Sequence, residues 1–266
     1  YRFSGSKDFY FMKWQRYWDI IVYRTYAELK SEAQLNYMGY VWWVLEPLLN
    51  TIMFYAILTL VLEQSSVGAI SFLLVGSITW QWFASGIMSS SSSIFDAGSM
   101  LKFIYLPKIV LPLISILANT WKFLFLLLLL LIWSWCTGHL PSQAYLALPL
   151  ILLLQLAVIL GVSLPLAALM PYFPDAKVAM DAILRSLMLV SGIFFAVEQV
   201  PAEFHVYFYM NPMAVLIEAY RAVLLQGLWP DWGKLAYVAC FGSFSIMASL
   251  LIYKRIDLSI VKAIHR

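Results

Sequence analysis

From Leu124 to Ile132 the chain carries nine consecutive large apolar residues, inside a longer apolar stretch from Ile109 to Trp135. A helix of that sequence is apolar on every side, so it has no polar face to turn to water. A soluble core has no need of such a run. A bilayer does, because about 20 apolar residues are needed to cross it and no water inside can satisfy an exposed backbone. Composition supports the same class: 63% of the residues are hydrophobic and 12% charged, against roughly 25% charged in soluble domains.

Five further stretches read as spans, giving six: Val41 to Leu62, Ile70 to Phe95, Ile109 to Trp135, Ala144 to Leu169, Val178 to Val197 and Leu235 to Ile252. The expected fold is therefore all-α and polytopic, a single membrane domain over 41–266 preceded by an N-terminal segment, 1–40. Orientation follows from Lys and Arg, which cytoplasmic loops retain. With the N-terminus in the cytoplasm, thirteen of the 17 basic residues fall inside: Arg2, Lys7, Lys13, Arg16, Arg24, Lys30, Lys102, Lys108, Lys177, Lys254, Arg255, Lys262 and Arg266. Arg221 and Lys234 fall outside, and Lys122 and Arg185 lie within spans. Both termini are expected to be cytoplasmic.

The stretch from Phe9 to about Asn36 mixes aromatic and basic residues. Trp14, Trp18, Ile21, Leu29 and Ala33 recur on one helical face, with Lys13, Arg16, Arg24 and Glu28 mostly elsewhere. Such a helix suits the headgroup boundary; one reading is a membrane anchor, the other that part of it also docks a cytoplasmic partner. No secretory h-region is legible in the first forty residues. Cys136 and Cys240 lack ligand spacing and are expected to be two buried thiols.

The fifth span is unusual. Asp181 and Arg185 stand four apart and can neutralise each other on one face. The segment after it, about 198–232, is semi-apolar and too short in each part to cross. Pro201 can open one short helix; Asn211 and Pro212 read as the N-cap and first position of another, which Gly227 closes. From Pro212 to Gln226 that second helix measures roughly 22 Å at 1.5 Å per residue, against a core of ~30 Å. The expected element is a periplasmic re-entrant helix pair between spans five and six.

Chemical machinery is sparse. No G-x-x-x-x-G-K-[ST] occurs, since Gly233-Lys234 is followed by Leu235. The three histidines are scattered, and neither H-E-x-x-H nor G-x-S-x-G is present. No catalytic residue, bound metal or bound cofactor is expected of this chain. Ion-coupled transport of a smaller substrate is the alternative to an ATP-driven mechanism. Against it, Lys122 is the only charge deep in a span and has no carboxylate partner in sight at that depth. Ser89 to Ser93 suit close helix packing or a polar path. Trp80, Trp82 and Phe83 suit sugar stacking or a buried aromatic belt.

Several segments together carry a resemblance. Met38-Gly39-Tyr40-Val41-Trp42 through Glu46-Pro47 is similar to a Leu-Gly-x-x-Trp-x-x-x-x-Pro lead-in to span one. Tyr172-Phe173-Pro174-Asp175 is similar to a Phe-Arg-Asp loop before span five, with Pro in place of Arg. Asn211-Pro212 with Glu218, Tyr220 and Arg221 matches the second re-entrant helix. From about Leu29 to Lys254 the chain thus resembles the permease subunits of polysaccharide-exporting ABC transporters, the O-antigen and capsule exporters. Ser191-Gly192-Ile193-Phe194-Phe195 leans to the capsule branch.

That resemblance implies a homodimer in the bacterial inner membrane. It implies two copies of a separate ATP-binding subunit, which use ATP and Mg, and a lipid-linked polysaccharide threading between the two permeases among the membrane lipids; nucleic acid has no part. Coupling to the ATPase is expected at Glu28, Lys30, Glu32, Lys102, Tyr105, Pro107 and Asp175. The channel and its gate are expected at Trp80, Trp82, Phe83, Phe194, Phe195, Asn211, Glu218, Tyr220 and Arg221, with a structural pin as the other reading of Glu218 and Arg221.

Overall fold

The computed structural model describes residues 6–35, 37–61, 68–97, 107–173 and 175–256, with side chains for all of these except 6–16, 35, 58, 61 and 254–256. Among the described residues every regular element is helical. Helix α1 spans Ser6–Leu35; α2, Val41–Ala56, continues into a π turn, Ile57–Val61. Helices α3 (Ala69–Asp96) and α4 (Val110–Cys136) follow, then α5 (Leu148–Leu169), led in by a tighter turn at Gln143–Ala147. Helix α6 is Ala176–Val190, α7 is His205–Tyr209, α8 is Pro212–Arg221 with a π turn Ala222–Gln226, and α9 is Trp232–Ile256.

Among the described residues, four helices are long and apolar enough to cross a membrane: Ala69–Asp96, Val110–Cys136, Gln143–Leu169 and Trp232–Tyr253. The other two expected spans are shorter as helices, 16 residues in α2 and 15 in α6. The fifth span, expected to run to Val197, stops at Val190. Its stop has a local cause. Gly192 sits at φ +73°, a backbone state that side chains resist, and a Cβ there would lie 2.7 Å from the Phe208 ring.

Helix α3 occupies the middle, touching α2, α4, α5, α6 and α8. Its apolar side chains join those of α4, α5, α8 and α9 in one core. Helix α8 lies inside that core: Met213 to Ile217, Ala219, Tyr220, Arg221, Val223 and Leu224 are all buried. Five consecutive buried residues cover a full helical turn, while Glu218, its side chain 40% exposed, stands partly clear. Its ends follow the sequence reading. Asn211 Oδ1 accepts from Met213 N at 3.0 Å, Pro212 opens the helix, and Gly227 ends the following turn at φ +67°.

Helix α1 packs on α4 by part of the face read from the wheel. Ile21, Thr25 and Ala33 are buried, whereas Trp18 is exposed. Ile21 meets Val110 and Ile114, Glu28 accepts from Ser115 Oγ at 3.5 Å, and Glu32 forms an ion pair with Lys122. Partner numbers rise together, so the two helices run side by side in the same direction. Glu28, expected mostly off that face, therefore turns toward α4. Cys136 and Cys240 are both exposed and free, correcting the expectation of buried thiols; an apolar SH group on an outward face of α4 or α9 is at ease in lipid.

The most extensive helix pair is α5 with α9. Their backbones approach because the seam is built from small residues. A Cβ added to Gly161 would lie 2.5 Å from Ser245 Cβ, and Gly242 faces Ala157 across the same seam. Ser249 Oγ donates to the Gly161 carbonyl at 3.1 Å. Replacing Gly161 by Leu should therefore force the helices apart. The expected loss is about 1–3 kcal/mol, as for overpacked cores, read as a lower thermal midpoint in detergent and lower membrane abundance. An unchanged midpoint would show that this seam does not carry the pairing.

Candidate functional site

A cleft of about 410 Å³ opens between α2, α3, α4 and α6, with the C-terminal end of α1 at its edge. Each helix contributes a stripe at steps of three or four: Trp43, Glu46 and Asn50 from α2; Ser77, Gln81 and Ser85 from α3; Asn119 and Lys122 from α4; Asp181, Arg185 and Met188 from α6. Glu32 closes the ring from α1. Three carboxylates, Glu32, Glu46 and Asp181, face two cations, Lys122 and Arg185, a formal balance of −1. Phe54, Trp80, Trp82 and Phe123 supply aromatic walls.

Lys122 is thus not the lone charge that the sequence suggested. It pairs with Glu32 and lies 5.6 Å from the Trp43 ring centre. The partner comes from α1, a segment distant in sequence, so inspecting the spans alone misses it. Asp181 and Arg185 do pair, at 2.8 Å. Asn119 donates to Ser89 Oγ at 2.7 Å and to the Ser115 carbonyl at 2.8 Å. Gln81 Oε1 and Trp82 Nε1 are buried without a partner among the described residues. In the serine run, Ser89, Ser91, Ser92 and Ser93 donate back to the preceding turn, and none of the five lines the cleft.

The aromatic candidates divide. Trp80 and Trp82 reach the cleft while Phe83 packs beside Trp80 at 5.2 Å; all three are buried. Trp82 stacks on Phe123 at 4.1 Å. Phe194 meets Phe54 edge-on at 4.6 Å, and Phe195 meets Phe208 at 6.0 Å. These two lie where α6 has broken off, next to the group around α8.

That group centres on Arg221. The guanidinium donates to the carbonyls of Gly192 (2.6 Å), Ile193 (2.8 Å) and Phe72 (3.2 Å from Nη2, 3.3 Å from Nε), and it lies 3.3 Å from the centre of the Phe72 ring. Asn211 Nδ2 adds a bond to Ser191 Oγ at 2.8 Å. Glu218 and Arg221, expected as a pair, have different partners: Glu218 binds Lys234 of α9 at 2.8 Å. Three residues apart on a helix, the two side chains diverge toward different neighbours. Tyr220 is fully buried, its ring 6.4 Å from Phe123.

Of the coupling candidates, Lys30 is exposed, Glu28 and Glu32 are engaged with α4, and Pro107 stands half-buried ahead of α4. Asp175 is exposed at the start of α6. Lys102 and Tyr105 lie outside the described residues. Burial holds the Glu28 carboxyl above its ordinary range, with Glu32 adding to the rise and Lys122 and the Ser115 hydroxyl opposing it. Glu46, Asn50, Gln81 and Asn119 were not singled out as site residues from sequence. Their signal is polar spacing of three or four inside otherwise apolar helices. Among the described residues no group of three His, Cys, Asp or Glu is placed to hold a metal.

The profile of the ABC-2 type transporter family matches residues 22–225. An O-antigen export system permease protein, RfbA, of Klebsiella pneumoniae is 27% identical over 210 residues, covering 79% of this chain and 81% of the relative. Its namesake in Myxococcus xanthus is 24% identical over 241 residues, 90% and 93% of the two chains. The polysialic acid transport protein KpsM of Escherichia coli is 27% identical over 234 residues, 85% and 89%.

Two outcomes test the geometry. Arg221→Ala strands the Gly192 and Ile193 carbonyls, at about 1–3 kcal/mol for each buried acceptor left unpaired. Thermal midpoint and membrane abundance should both fall, with Arg221→Lys intermediate because an ammonium lacks the planar fork. For Glu28 the sign is fixed by its raised pKa. The folded state holds this proton more tightly than the unfolded chain does. Its contribution is therefore full below the ordinary carboxyl range and is lost as pH rises through the raised value. Glu28→Gln should raise the thermal midpoint at neutral pH and remove that part of the pH dependence in unfolding scans.

Proposed function

The chain belongs to the ABC-2 type transporter family, and on that premise we propose that it is the membrane-spanning subunit of a bacterial ATP-driven polysaccharide exporter. The observation that carries this is likeness to permeases named for O-antigen export and polysialic acid transport over 79–90% of the chain. Its cargo is a lipid-linked polysaccharide moved from the cytoplasm to the periplasm. Two copies of this chain pair in the inner membrane. Two copies of a separate ATP-binding subunit supply the energy and hold ATP and Mg; this sequence has no P-loop and carries no catalysis of its own.

In this reading α2 and α6 complete six passes, and both termini are cytoplasmic because most Lys and Arg then lie inside. Residues 198–232 dip back from the outer face. Polar side chains beside Trp43, Trp80 and Trp82 suit a hydroxyl-rich chain, which presents many hydrogen-bonding groups and apolar ring faces. Burial favours the pin over the gate for Tyr220 and Arg221, and Glu218, partly exposed, is tied to Lys234 of α9. A gate role then passes to the exposed short helix α7.

The ion-coupled alternative gains one observation, since Lys122 does have a carboxylate partner. Energy source separates the two. Inverted membrane vesicles from the source strain, loaded outside with lipid-linked glycan, should take it up with ATP and not with an imposed proton gradient. Uptake driven by the gradient alone would overturn the ATP-driven reading. Orientation is tested in intact cells after Cys136 and Cys240 are replaced by Ser. Ser65→Cys and Leu140→Cys should react with an impermeant thiol reagent, and Ala97→Cys should not.

A further inference from the structure

We propose that Glu32 and Lys122 form a latch that ties α1 to α4 at the edge of the cleft and parts during each transport cycle. This rests on the exporter reading above and assigns a positioning role to two residues within it.

Position is the first reason. Among the described residues of α1, Glu32 alone lines the cleft, and its partner Lys122 lies 12 positions along α4 from Val110. That is roughly 18 Å at 1.5 Å per residue. The contact therefore joins the end of the N-terminal helix to the interior of the membrane domain, at the wall of the space that substrate would use.

The seam itself is the second reason. Along α5 and α9 the packing is close and the hydroxyls donate to backbone, so those helices are joined for good. Between α1 and α4, among the described residues, Ile21 packs with Val110 and Ile114, flanked by Ile109, Leu113 and Leu117, and further along the contacts are polar: Glu28 with Ser115 at 3.5 Å, then Glu32 with Lys122. Glu32 is 41% exposed and Lys122 20%. A partly exposed ion pair breaks and reforms readily, because water takes over each charge as it is released.

A latch also needs a second resting place for its buried member, since an ammonium stranded at membrane depth is costly. The cleft provides it. Trp43 already lies 5.6 Å from the Lys122 ammonium, and Glu46, one turn along α2 from Trp43, lines the same cleft. Lys122 can pass from a carboxylate on α1 to an aromatic face and a carboxylate on α2. Glu28 also faces Lys122 from α1 and keeps the local field negative, which favours return. One cation thus has two sets of partners on two helices, the ingredients of a two-state element.

The test uses the source strain with Cys136→Ser and Cys240→Ser, adding Glu32→Cys and Lys122→Cys. A bifunctional methanethiosulfonate joins the two thiols, and surface glycan is read on intact cells by periodate oxidation and an impermeant hydrazide dye. Locking should lower new surface glycan by about tenfold, equivalent to roughly 1.4 kcal/mol on the limiting step, and thiol reductant should restore it. Full export by the locked protein would overturn the latch, leaving the exporter reading intact. A strain deleted for this chain that still displays the glycan would overturn both. A parallel set guards against misfolding. Glu32→Lys and Lys122→Glu should each cut export, while the two together recover most of it at equal membrane abundance. Normal export by both single variants would equally overturn the latch.

Discussion

A helix that stops inside a membrane domain leaves its last carbonyls without donors, and no water is at hand to supply them. Helix α6 stops at Val190, where Ser191 Oγ donates to the Leu187 carbonyl, and Arg221 satisfies the irregular backbone that follows. One planar guanidinium reaches Gly192 and Ile193 on the broken segment and Phe72 on α3, from a helix that is itself buried. Five N–H donors in a fixed fork are what make one side chain sufficient; an ammonium on a flexible stem cannot cover three carbonyls at set positions. The short elements from Ser191 to Tyr209 can therefore be irregular without exposing backbone on their inner side. The fold of the half that contains α8 follows from that one satisfaction of hydrogen bonds.

The same economy separates the two ways in which helices meet here. Where α5 meets α9, glycine, alanine and serine let the backbones close and exclude everything else. Where α2, α3, α4 and α6 face one another, amides, carboxylates and tryptophans keep a gap of about 410 Å³ open. A transporter of the ABC-2 type needs both, a fixed frame and a face whose polar groups are not fully consumed by one another. Gln81 Oε1 and Trp82 Nε1, buried and without a hydrogen-bond partner among the described residues, belong to the second kind.

Much of this was legible in the chain. The four long helices follow from apolar run length alone, and the cap of α8 follows from Asn211-Pro212, because both are local signals. The Asp181–Arg185 pair follows from a spacing of four. What escaped was every feature that depends on a distant partner. Lys122 looks solitary until α1 is laid beside α4. Arg221 looks like the mate of Glu218 until the break at Gly192 is seen, for a residue three positions away is a near neighbour only if both side chains turn the same way. The face of α1 is legible only in part, for a related reason. Trp18 weighs heavily on a hydrophobic wheel yet is exposed, while Glu28 turns toward α4 because Ser115 and Lys122 await it. The reading of span five as continuous to Val197 counted apolar residues and overlooked the glycine that ends the helix.

The enclosure of α8 also has a bearing on how the protein is made. Its neighbours α3 and α5 are synthesised before it, and α9 after it. When α8 leaves the ribosome, the surfaces on α3 and α5 that receive it already exist, while the flank toward α9 is still uncovered. The chain therefore passes through a stage in which a largely apolar helix of ten residues, carrying one glutamate and one arginine, waits beside a half-built protein with lipid on its open side. Completion of the last helix ends that wait, so the biogenesis of this protein has its most vulnerable interval between residues 212 and 256.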